Sequence, residues 1–208
     1  RAEFSSRPSL NLADYRWEEL AKLNAGSWFL QRDPFGTVAS GAVCRDEFSL
    51  IAAQKIPTLE EALIYSRRHG FPVNLELKDQ TGTAGDLLIV TSVLDSIART
   101  GTEDLVLLSS FKHAYLTEIK ARNPAIETAA LVEEHHPDDL IAYLRGLQVS
   151  AYHPDCEITD ESLIRSLTQA GVRVNLWTVN DADAARRFSA AGATFICTDW
   201  PQNFIRNR

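Results

Sequence analysis

Pro72-Val73-Asn74-Leu75-Glu76-Leu77-Lys78-Asp79 is the stretch on which the fold turns. Val73, Leu75 and Leu77 alternate with Asn74, Glu76 and Lys78, and a period of two sends the two sets to opposite faces of a strand. A helix-like segment precedes it, opening with Pro57 and Thr58 ahead of Glu60 and Glu61 and stopping at Gly70 after His69. A longer helix-like segment follows near 84–99. A strand set between helices is predicted to be buried, and a polar face there is costly unless it serves something. On that reading Glu76 and Lys78 are a buried carboxylate and ammonium that call for a metal ion or a charged substrate. On the competing reading the strand is a sheet edge with a solvated Glu/Lys pair, and the alternation is ordinary amphipathicity.

The pattern then repeats. Strands are predicted at 72–78, 105–110, 127–132, 148–152, 172–178 and 194–198, with helices near 84–99, 113–122, 137–145, 159–170 and 181–191. Such alternation makes consecutive strands parallel, joined by right-handed helical crossovers, and the class is α/β. An open doubly wound sheet would carry a glycine-rich phosphate loop after a strand, and neither a Gly-x-Gly-x-x-Gly nor a Walker-type run is present. A (β/α)8 barrel instead gathers the carboxyl ends of its strands at one mouth. Polar or aromatic residues stand at or just past nearly every strand end: Glu76 and Lys78; Ser109, Ser110 and Phe111; Glu133 and Glu134; His153; Trp177, Thr178 and Asn180; Asp199 and Trp200. The expected architecture is a (β/α)8 (TIM) barrel of which six parallel strands are visible.

Residues 1–57 are less regular. They read as a loop-rich insertion with one short helix, Tyr15 to Leu23, capped by Asp14, followed by Trp28 and Phe29 in packing roles. The whole of 1–208 is taken as one barrel domain, with 72–198 as its six β/α units. The balance of 45% hydrophobic and 24% charged residues is that of an ordinary globular chain. A net charge of −7 argues against a nucleic-acid or anionic-membrane surface, since both need a basic patch. The three cysteines, Cys44, Cys156 and Cys197, lie far apart, so neither a disulfide framework nor a zinc site is indicated, and a reducing cytoplasm is favoured over the periplasm. No apolar run is long enough for a membrane span. The chain begins at Arg1 and contains no methionine, as a piece of a longer protein would.

Each candidate has a plainer role to weigh against. Ser109 and Ser110 fit helix capping, His113 a helix start, and His135 with His136 a surface position, because adjacent residues point apart. His153 is the better-placed histidine for a ligand or base. Asn175 and Trp177 share a face opposite Leu176, and an indole aimed into a polar mouth suits substrate contact. Asp199 suits a cap for the turn at Pro201. No serine or cysteine nucleophile motif is present.

Taken in order, several strings resemble one family, the glycerophosphodiester phosphodiesterases: Trp17 to Phe29, Ile56 to Ala62, Asn74 to Lys78, Ser109 to Phe111, Trp177 to Asn180, and Thr198 to Pro201. The resemblance runs from about Asp14 to Phe204. It implies a (β/α)8 barrel that uses a divalent cation, magnesium or calcium, to hydrolyse a small-molecule glycerophosphodiester to an alcohol and glycerol 3-phosphate. It further implies that Glu76 is a metal ligand, that Lys78 contacts the phosphate as a catalytic residue, and that Phe111 and Trp177 line the glycerol side.

The family pattern also contains a His-Arg-Gly strand, a Glu-x-Asp pair and a further histidine, none of which matches here. The resemblance therefore implies two strands upstream of Arg1, which carry both acid/base histidines and two of three metal ligands. Two alternatives stand beside this reading: a catalytically inactive phosphate-ester-binding or interaction protein of the same fold, and an unrelated metal-assisted barrel enzyme. Whether the barrel pairs with a copy of itself stays open.

Overall fold

The computed structural model describes residues 12–204. Contacts divide the chain into two compact units, one ending at Ala62 and the other beginning at Leu63. In the first, short helices α1 (Trp17–Leu20), α2 (Ser27–Arg32) and α3 (Phe48–Ala52) alternate with turns. The helix expected at 15–23 is reduced to α1, and Asp14 does not cap it. Asp14 belongs to a 3-10 turn, Leu12–Asp14, and it is the Glu19 carboxylate that accepts from the Arg16 amide, at 3.0 Å. Gly26 opens α2 against α3, and a Cβ there would lie 1.6 Å from the Ile51 carbonyl oxygen, so the close approach needs glycine.

Helix α4 (Leu59–His69) opens on a capping box: the Thr58 hydroxyl accepts from the Glu61 amide at 3.2 Å, and Glu61 accepts from the Thr58 amide at 2.8 Å. The second unit then follows the predicted rhythm: β1 (Val73–Glu76), α5 (Ile89–Thr100), β2 (Val106–Ser110), α6 (His113–Arg122), β3 (Glu127–Val132), α7 (Leu140–Gly146), β4 (Ala151–Pro154), α8 (Glu161–Gln169), β5 (Arg173–Leu176), α9 (Ala182–Ala191) and β6 (Phe195–Ile196). All six strands are parallel and lie side by side in chain order. A doubly wound sheet reverses its order at a switch point, and this one does not, so the winding is that of an arc of a (β/α)8 barrel.

The core lies between strands and helices. Val174 and Leu176 of β5, Leu116 and Ile119 of α6, and Ile164 and Leu167 of α8 are fully buried, while Asn175 turns to the other face of β5. Asp160 and Asp181 cap α8 and α9, accepting from the Leu163 and Ala184 amides at 2.8 and 2.7 Å. Gly101 ends α5 at φ 61°, where the Arg67 guanidinium reaches the Thr100 and Gly101 carbonyls at 2.7 and 2.8 Å. A Cβ at Gly101 would meet that guanidinium at 2.1 Å.

One expectation needs correction. β1 is not buried on both faces: its residues alternate between half-buried and exposed. Among the described residues it pairs with β2 alone, and Asn74 and Glu76 are exposed.

Candidate active site

Every strand, or the residue just after it, contributes to a single cavity of about 270 Å³ at the carboxyl ends of the sheet. β1 supplies Asn74 and Glu76, with Lys78 just beyond it. Phe111 follows β2, Leu131 comes from β3 and His153 from β4. Asn175 belongs to β5, with Trp177 and Thr178 after it, and Cys197 follows β6. The four residues singled out by the resemblance, Glu76, Lys78, Phe111 and Trp177, are thus brought together. Strand period explains Asn74 and Asn175, each two residues before a member of that set and on the same face. Cys197 and Leu131 carry no chemical signal in the sequence.

The Glu76 carboxylate and the Lys78 ammonium are 2.7 Å apart, with 29% and 73% of their side chains exposed. The two side chains form an ion pair, both partly exposed among the described residues. Across the cavity the Phe111 and Trp177 rings meet edge to face, centroids 5.7 Å apart at 88°. The Trp177 indole N–H donates to the His153 carbonyl at 2.9 Å, which fixes the ring against the neighbouring strand. His153 itself is 3% exposed. Burial, and to a lesser degree the Arg173 charge, pushes its pKa down to about 4. At neutral pH it is an uncharged imidazole. The Asn175 Oδ1 is buried without a hydrogen-bond partner among the described residues, so the cavity holds an acceptor with unmet capacity.

Other sequence candidates lie elsewhere. Neither serine caps α6: the Ser110 hydroxyl donates to the Leu77 carbonyl at 2.7 Å and accepts from the Lys112 amide at 3.0 Å, stitching β1 to β2, and the buried Ser109 hydroxyl has no partner among the described residues. His113 does start α6, with its ring nitrogens at 2.6 Å from the Tyr143 hydroxyl and 2.9 Å from the Leu131 carbonyl. His135, Glu133 and Glu134 are exposed. His136 is not a surface residue. It is half-buried and bridges the Tyr152 hydroxyl and the Ile158 carbonyl, each at 2.9 Å. Asp199 does not cap the turn at Pro201 but pairs with Asn180: the Asn180 amide donates to its carboxylate at 2.8 Å, and its own amide donates to Asn180 Oδ1 at 2.9 Å.

A hard divalent cation takes six or more oxygens, several of them anionic. Among the described residues no three His, Cys, Asp or Glu side chains gather into such a group, and Glu76 is the carboxylate lining the cavity. These residues therefore offer a cation one anionic donor and fall short of a complete site.

A larger hollow of about 510 Å³ in the first unit is lined by Phe29, Val43, Glu47, Leu50, Ile51 and Gln54, and its two polar side chains are engaged locally, Glu47 with the Cys44 amide and Gln54 with the Leu50 carbonyl. The candidate residues gather instead at the cavity at the strand ends.

The sequence profile of the glycerophosphoryl diester phosphodiesterase family matches residues 6–203. The chain is 30% identical over 153 residues to the uncharacterised protein YqiK of Bacillus subtilis, covering 71% of this chain and 60% of that one. It is 29% identical over 201 residues to a glycerophosphodiester phosphodiesterase of Bacillus altitudinis, covering 94% of this chain and 72% of the relative. Among solved structures, it resembles an Oleispira antarctica phosphodiesterase in complex with the product sn-glycerol-3-phosphate, with a TM-score of 0.71 and 25% identity, covering 90% of this chain and 68% of that one.

Proposed function

We propose that the protein carrying this chain, which belongs to the glycerophosphoryl diester phosphodiesterase family, hydrolyses glycerophosphodiesters to an alcohol and glycerol 3-phosphate. The observation that carries this reading is the convergence of one carboxylate, one ammonium and two aromatic rings on a cavity of about 270 Å³ at the strand ends. A pocket of that size suits a small ester more than a macromolecule. The Oleispira antarctica relative, bound to sn-glycerol-3-phosphate, supports the choice of substrate.

In this reading each residue has a distinct task. The Lys78 ammonium, on a flexible and largely exposed stem, offsets charge that grows on the phosphoryl oxygens as water adds to phosphorus and the bond to the leaving alcohol breaks. Phe111 and Trp177 take the carbon face of the glycerol, and the Asn175 Oδ1 accepts from one of its hydroxyls. His153, neutral at pH 7, is not the acid that protonates the leaving group. Metal dependence is part of the proposal. A magnesium or calcium ion would supply Lewis-acid chemistry at the phosphoryl oxygens, with Glu76 as one of its ligands. Glu76 by itself is insufficient to hold such an ion.

The test is release of glycerol 3-phosphate from glycerophosphocholine, with and without added magnesium or calcium. Release supports the reading. Tight binding of glycerol 3-phosphate with no release would instead favour a phosphate-ester-binding protein of the same fold, a reading supported by the ion pair already closed between Glu76 and Lys78 at 2.7 Å.

A further inference from the structure

Lys112 directly follows Phe111 but does not line the cavity. Its ammonium has three protons, and three oxygens surround it: Asp86 Oδ1 at 2.7 Å, Thr81 Oγ1 at 2.7 Å and Asp79 Oδ1 at 3.4 Å. It also lies 4.7 Å from the centre of the Tyr115 ring. The Tyr115 hydroxyl donates to Asp86 and accepts from the Gln80 amide at 3.1 Å. Two residues at the start of α6 thus hold four residues of the loop that follows β1. The Lys112 and Asp86 side chains are 24% and 26% exposed, so the pair is shielded more than an open surface ion pair.

Chain adjacency gives this cluster its meaning. Asp79 follows Lys78, and Lys112 follows Phe111. The geometry points to Lys112 as a positioning residue: it clamps the loop after β1 to the start of α6 and thereby sets Lys78 and Phe111 at the cavity. The Ser110 hydroxyl, shared between the Leu77 carbonyl and the Lys112 amide, closes the same junction from the strand side. The kinetic part of this inference rests on the phosphodiesterase reading, whereas the clamp itself does not.

The experiment uses the full chain with Lys112→Met, which keeps the stem and removes the charge. With glycerophosphocholine, kcat falls about tenfold, the scale of losing a group that orients a reacting one, and Lys112→Arg recovers most of it. In a Lys78→Ala background, Lys112→Met lowers kcat little further, because the clamp acts through Lys78. Multiplicative losses in the double variant would overturn the positioning role. Hydrogen exchange supplies a readout independent of turnover: amides of residues 79–88 exchange faster in Lys112→Met than in the wild type, and unchanged exchange would overturn the clamp. If the wild type releases no glycerol 3-phosphate, the functional reading falls and exchange alone decides on the clamp. If Lys112→Met does not fold, Asp86→Asn removes the partner charge at constant shape and must give the same exchange and coupling patterns.

Discussion

At the end of β1, Glu76 and Lys78 reach the cavity from a strand paired on one side among the described residues, and 29% and 73% of their side chains stay in solvent. At the ends of β4 and β5, His153 and Trp177 reach the same cavity from strands paired on both sides, with His153 3% exposed and the indole bonded to a backbone carbonyl. The difference shows how one site reconciles charge with order. Among the described residues the neutral wall is fixed by pairing on both sides and by burial, whereas the charged pair is held by one neighbouring strand. The charged side should therefore govern turnover. The neutral side should govern affinity and stability.

The sharpest break in that division is Glu76→Gln. It keeps the shape and removes the cavity's carboxylate, so turnover should drop by more than the 10- to 100-fold typical of supporting residues, with thermal unfolding nearly unchanged. Calorimetric titration with magnesium or calcium should show weakened binding, and equal affinity in the variant would reject the ligand role. Lys78→Ala comes next, with kcat lowered on the order of a hundredfold and metal affinity retained. Were KM alone to rise, Lys78 would be a uniform binding group, and the charged side would not govern chemistry.

The buried wall makes a different prediction. Folded His153 stays neutral down to about pH 4, whereas the unfolded chain takes up that proton near the ordinary 6.5. Between those values the unfolded state binds more protons, so this residue's contribution to stability falls as pH drops from 6.5 toward 4, by about 3 kcal/mol in all. Melting temperatures of wild type and His153→Gln across pH 4–7 should converge or cross as the wild type loses this contribution. Parallel curves would mean that His153 does not titrate out of register with the unfolded chain.

How far the sequence reveals this arrangement depends on the range of the interaction. Period-two alternation in Asn74–Lys78 and in Asn175–Trp177 places these side chains on the cavity face, because strand geometry is local. The rhythm of strands and helices likewise predicts all six strands. The exposure of Glu76 is left open by the sequence between a buried strand and a solvated sheet edge, since it depends on what lies beside β1 and not on β1 itself. The bridge from His136 to Tyr152 and Ile158, and the clamp from Lys112 to Asp79, Thr81 and Asp86, join residues 16 to 33 positions apart. No spacing rule announces such contacts. Asp14 failed as a cap for a related reason: which of several nearby carboxylates meets a free amide is decided by backbone geometry that composition leaves undetermined.

The smallest effect isolates the neutral wall from its anchor, and Trp177 allows both to be measured. Trp177→Ala removes the ring that meets Phe111 edge to face, so the apolar side of the cavity opens and KM should rise about tenfold with a smaller change in kcat. Trp177→Phe keeps an aromatic wall but loses the indole N–H that donates to the His153 carbonyl at 2.9 Å. That leaves a carbonyl short of one donor, a loss of about 1 kcal/mol, or roughly 2–4 °C in melting temperature for a chain of this length. If the ring serves as wall and the N–H as anchor, Trp177→Phe should melt earlier while keeping its KM. A KM raised as much as in Trp177→Ala would show that substrate affinity depends on how firmly β5 is tied to β4, and the division between a charged side for chemistry and a neutral side for affinity would have to be redrawn around that hydrogen bond.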